Sequence, residues 1–137
     1  MAKYLRPTLD TRFHVDFSWW QQEGQNLRAF LLGHLCDDYR YMAEEHEGET
    51  FDWVDPETGE VFNIDLLWHI IFNNCQTEPE FLDSRIPLTT AIFRAFIAKN
   101  NRPMTPLEIY HIIQRKSPDM ILGTIGGRRT YKGIKPA

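Results

Sequence analysis

Between Pro103 and Pro136 the chain reads PMTPLEIYHIIQRKSPDMILGTIGGRRTYKGIKP, and its prolines at 106 and 118 restrict the fold more than any other feature. Proline lacks a backbone N–H and has a fixed φ, so it suits the first position of a helix and little else inside one. Thr105 precedes Pro106 as a candidate N-cap, and Glu108 stands three after that cap, the spacing of a capping box. Ser117 and Pro118 repeat the start, and Gly126 and Gly127 close the second helix. This punctuation predicts helices over 106–115 and 118–125, then a basic, glycine-spaced ribbon of Arg128, Arg129, Lys132, Gly133 and Lys135. A third helix is expected just upstream. Pro87 opens it over 87–99, Leu88, Ala91, Ile92, Ala95 and Phe96 form its apolar stripe, and Asn100 and Asn101 suit a left-handed C-cap.

The preceding half mixes periods. Residues 1–12 read as a polar arm. Phe13, Val15 and Phe17 alternate with His14 and Asp16, which predicts a short strand with His14 and Asp16 on its polar face. Ser18 is a candidate cap for SWWQQE, which Gly24 ends. Asn26 starts a helix in which Leu27, Phe30, Leu31, His34 and Leu35 share one face; it ends near Leu35, or a new one begins at Asp37. In FDWVDPETGEVFNI, two strand-like runs flank DPETGE, so Pro56 and Gly59 predict a hairpin. Asp65 then caps DLLWHIIFNNC, whose Leu66, Leu67, Ile70 and Ile71 face a core and whose Asn73, Asn74 and Cys75 fray its end.

Charge divides the chain near residue 84. Residues 1–80 hold 5 Lys/Arg against 16 Asp/Glu, a net −11; residues 81–137 hold 10 against 3, a net +7. A basic end on an acidic body suits an anionic partner; the alternative is that the two halves attract each other. No apolar run reaches the ~20 residues of a membrane-spanning helix, so no membrane role is expected. The N-terminus lacks an apolar secretory core, and two cysteines in such a chain read as free thiols in a reducing, cytoplasmic setting.

Three successive helices followed by a ribbon resemble the winged helix-turn-helix superfamily over about the last fifty residues. The resemblance implies a DNA-associated, transcription-regulating module, in which the third helix lies in the major groove and the wing touches backbone. It also implies a core of Ile109, Ile112, Ile113, Ile121, Leu122 and Ile125. The third helix departs from that pattern. It carries Asp119, Met120, Gly123 and Thr124 but no Arg, Lys, Asn or Gln, the side chains that pair with purine edges. The nominated nucleic-acid contacts therefore surround it: Arg115, Lys116, Thr124, Arg128, Arg129, Tyr131, Lys132 and Lys135. These are residues that hold phosphate without reading sequence, with Tyr131 as a stacking surface.

Other chemistry has less support. His34, Cys36, His69 and Cys75 contain zinc-ligand types, but their spacing matches no zinc finger or ribbon, so no metal is assigned. No nucleophile elbow, phosphate-binding glycine loop or zinc-protease motif is present, so no catalytic residue and no cofactor are nominated. The expectation is an α+β protein. An acidic, aromatic-rich unit over 1–84, with a short strand, a hairpin and helices, packs on a winged-helix-like unit over 85–137. The basic end meets nucleic acid, and the acidic half docks a protein partner or a second copy in a homodimer. The rival is a protein-interaction subunit without nucleic-acid contact.

Overall fold

In the computed structural model residues 6–137 are described; residues 1–5 of the expected polar arm lie outside them. The chain runs β1 (Phe13–Val15), α1 (Phe17–Gln22), α2 (Leu27–Leu32), α3 (Arg40–Glu45), β2 (Thr50–Val54), β3 (Val61–Asp65), α4 (Leu66–Ile70), α5 (Leu88–Ala98), α6 (Pro106–Ile113), α7 (Pro118–Ile125) and β4 (Ile134–Pro136). Short 3-10 turns occupy Asp37–Tyr39 and Pro79–Leu82, and a π-helical turn, Ile71–Cys75, continues α4. The class is α+β: seven α-helices and two small two-stranded antiparallel sheets among the described residues.

Local chemistry accounts for most of the boundaries. Thr105 and Glu108 form the reciprocal capping box at the start of α6, and Ser117 caps α7 by accepting from the Met120 N–H. Asn26 and Asp65 cap α2 and α4. The β2–β3 hairpin turns where DPETGE stands: Asp55 accepts from the Glu57 and Thr58 N–H groups, and Gly59 takes φ 73°. Three local expectations are corrected. Asp16, not Ser18, caps α1, because its carboxylate accepts from both the N–H (3.0 Å) and the hydroxyl (2.6 Å) of Ser18. Helix α2 stops at Leu32, three residues early, where Gly33 follows. The end of α4 does not fray but widens into the π turn, with the Asn74 amide donating to the Ile70 carbonyl at 2.9 Å.

The two sheets serve different ends. β2 and β3 pair locally, Thr50 opposite Asp65 and Val54 opposite Val61. β1 joins distant parts of the chain. It pairs with β4, Phe13 opposite Pro136 and Val15 opposite Ile134, and Phe13 exchanges two backbone hydrogen bonds with Met104 (2.8 and 2.9 Å). The buried Asn101 side chain extends this ladder. Its Oδ1 accepts from the Val15 N–H at 2.7 Å and its Nδ2 donates to the Val15 carbonyl at 2.8 Å. Asn100 beside it is bound by two indoles: the Trp68 N–H donates to its Oδ1 (3.0 Å) and the Trp53 N–H to its carbonyl (3.2 Å). Both asparagines hold the expected left-handed backbone, φ 49° and 64°.

One apolar core draws on both sides of the residue-84 boundary. Phe13, Trp68, Phe93, Phe96, Ile109 and Ile121 are all fully buried in it. Phe17 meets Trp53 and Trp68 edge-on, with ring centroids 5.3 and 5.0 Å apart. Trp20, Trp53 and Trp68 are thus core residues, and Trp19 stays half-buried. No described helix is long and apolar enough to cross a membrane.

Candidate nucleic-acid interface

A groove of about 850 Å³ runs between α1 and the C-terminal ribbon. Trp19, Glu23 and Gln25 form one wall; Thr124 and the segment from Gly127 to Lys132 form the other. The ribbon takes this position through three local devices. At the end of α7, Gly126 donates to the Leu122 carbonyl at 2.7 Å, and a Cβ there would stand 2.6 Å from that same oxygen, so the exit requires glycine. The chain then reverses between Tyr131 and Ile134, with a 2.9 Å backbone bond and positive φ at both Lys132 (48°) and Gly133 (83°), as a type I′ turn needs. Finally, the Gly133 carbonyl accepts from the Asp16 N–H at 2.8 Å, tying the turn to the start of α1.

Five of the eight nominated residues meet in this groove: Thr124, Arg128, Arg129, Tyr131 and Lys132. The Lys132 ammonium lies 5.2 Å from the centre of the Phe30 ring, a cation–π contact that holds it in place. The Thr124 hydroxyl donates to the Met120 carbonyl at 2.8 Å, which leaves its lone pairs as acceptors. The other three nominees are elsewhere. Arg115 donates to the Ile86 carbonyl at 2.5 Å and braces the segment before α5. Lys116, at φ 63°, is exposed in the turn between α6 and α7. Lys135 faces Asp16 at 3.3 Å. Burial pushes the Asp16 carboxyl up, but the Ser18 hydrogen bonds and Lys135 outweigh it and hold the group below its ordinary value.

Sequence reasoning missed the α1 wall. Its signal is the Trp19–Trp20 pair: adjacent positions on a helix point about 100° apart, so when one fills the core its neighbour lies towards the rim. Trp20 is 3% exposed, and Trp19 packs edge-on against it with centroids 5.2 Å apart and planes at 87°.

The soft-ligand residues follow a different course. Cys36 and Cys75 form a disulfide, which corrects the free-thiol expectation. The segment after α2 and the end of the π turn bring their Cα atoms to 5.6 Å, inside the range a disulfide spans. The argument from free thiols to a reducing compartment falls with that expectation. His34 Nδ1 accepts from the Arg94 guanidinium at 3.1 Å, and His69 bonds Asn73 at 2.7 Å. Burial, and then the Arg94 charge, push His34 down to about 4, so it is neutral near pH 7. Among the described residues no three His, Cys, Asp or Glu side chains are placed to hold a metal ion.

Compared with protein-family models, with curated proteins and with solved structures, the chain matches none.

Proposed function

We propose that this chain is a non-enzymatic accessory or regulatory protein that holds the phosphate backbone of a nucleic acid in the groove between α1 and the C-terminal ribbon. The observation that carries this reading is the convergence of Arg128, Arg129 and Lys132 on one concave surface with Thr124 and Tyr131. Clustered cations beside hydroxyls suit phosphate oxygens, and release of counterions supplies affinity without sequence preference. Three helices, α5 to α7, leading into a turned ribbon support a winged-helix reading of this end, with β1 supplying the strand on which the ribbon lies. Helix α7 still offers no Arg, Lys, Asn or Gln to pair with purine edges, so sequence preference falls to a partner docked on the acidic half.

The rival, a protein-interaction subunit, is favoured by Val54 and Val61. They oppose each other at the end of the hairpin and are 53% and 55% exposed. Fluorescence anisotropy with a labelled duplex and a labelled single strand at ~50 mM salt separates the two readings. Binding of either that weakens steeply as salt rises is the expected result. No binding of either removes the nucleic-acid reading and leaves the rival.

A further inference from the structure

We infer that the groove takes an unpaired nucleotide of a single strand, its base stacked between Trp19 and Tyr131 and its phosphate on Arg128, Arg129 and Lys132. This rests on the phosphate-binding reading above and names the form of nucleic acid. Three observations carry it. The cations share a concave groove with two aromatic side chains, Trp19 from α1 and Tyr131 from the ribbon. A duplex keeps its bases stacked inward and offers such a groove only its phosphates, whereas an unpaired base presents a π-face to any aromatic ring. Both rings are also held before a ligand arrives. Trp19 is braced edge-on by the buried Trp20, and the Tyr131 side chain packs partly buried against the core on a backbone held by the bridge to Ile134. Pre-ordered rings lose little freedom on binding. The third observation is the character of α7, which would enter a duplex major groove but presents Asp119, Met120 and Gly123.

The polar groups of the α1 wall fit the same occupant. Glu23 repels phosphate, so the backbone runs along the ribbon side. On the wall it shares with Trp19, Glu23 accepts from a base N–H, the ring N3–H in thymine or an exocyclic amino group in the other bases, while Gln25 both donates to and accepts from a base edge. Stacking tolerates any base, so discrimination among bases is weak.

The test compares a labelled thymidine 12-mer, a blunt duplex of equal length and thymidine monophosphate as competitor, using the full chain at ~50 mM salt. The single strand is expected to bind at least about tenfold more tightly than the duplex. Trp19→Ala is expected to weaken the single strand about tenfold or more, with duplex binding and the salt slope unchanged. Trp19→Phe retains a stacking ring and recovers most of the loss. Equal affinity for strand and duplex, indifferent to Trp19, overturns this inference and leaves the phosphate reading standing. No binding of either overturns both. Monophosphate that competes as well as the strand, nucleotide for nucleotide, assigns the groove to free nucleotides and overturns the strand. If Trp19→Ala does not fold, the strand-to-duplex ratio of the native chain and the Trp19→Phe variant still decide the matter.

Discussion

Single residues carry contacts that no local pattern announces. The left-handed pair Asn100–Asn101 was legible as a helix end, because asparagine tolerates that backbone. Its task was not, because its partners are remote in sequence: Asn101 serves Val15, 86 positions away, and Asn100 serves Trp53 and Trp68. Replacing Asn101 with alanine strips the Val15 N–H and carbonyl of their partners in a buried site and gives up the tolerated left-handed backbone. The expected loss is about 3 kcal/mol, read from urea unfolding. His34 sets a pH dependence. Its native pKa lies near 4, below the 6.5 of an exposed histidine, so between those values the unfolded chain binds a proton that the native chain does not. Stability from this group is therefore complete above pH 6.5 and is lost as pH falls towards 4, by ~3 kcal/mol in all. His34→Gln keeps an acceptor for Arg94 and removes the titration, so its unfolding free energy is expected to be flatter across that window.

Elements were legible where the chain punctuates itself. The starts of α6 and α7 follow from proline and a hydroxyl cap, and the β2–β3 turn from DPETGE. Thr105→Ala removes one arm of the capping box on α6 and is expected to cost about 1 kcal/mol, with Thr105→Ser close to neutral, both measured by thermal unfolding. Elements fixed by distant partners were less legible. The glycines of the basic ribbon mark a wing but not its partner: its strand β4 lies on β1, more than a hundred residues earlier in the chain. Helix α1 is capped two residues sooner than its serine suggests, by Asp16, which also answers Lys135 of that same strand.

At the scale of the whole molecule, charge asymmetry pointed to the basic end, and the structure divides that charge. Lys135 pairs with Asp16 of the acidic half, as the internal-attraction alternative expects, and Arg115 bonds the Ile86 carbonyl within the basic end, while Lys132, over the Phe30 ring, lines a groove with Arg128 and Arg129. The groove's other wall was illegible because periodicity shows which tryptophan leaves the core but not what it meets. The disulfide was illegible for a similar reason: two cysteines 39 positions apart carry no sign of proximity. Closing a loop of that length is worth about 4 kcal/mol in the chain-entropy view. Reduction, or Cys36→Ser with Cys75→Ser, is expected to lower the denaturation midpoint accordingly while leaving the fold in place. The most direct measurement of the central claim is the salt dependence of single-strand affinity in the native chain and in a variant carrying Arg128→Ala, Arg129→Ala and Lys132→Asn, the last chosen because asparagine accepts that turn's backbone. The account predicts that the slope of log affinity against log salt is shallower by about 2 in the variant, some 0.7 for each phosphate no longer neutralised. Equal slopes and equal affinities in the two proteins would contradict it.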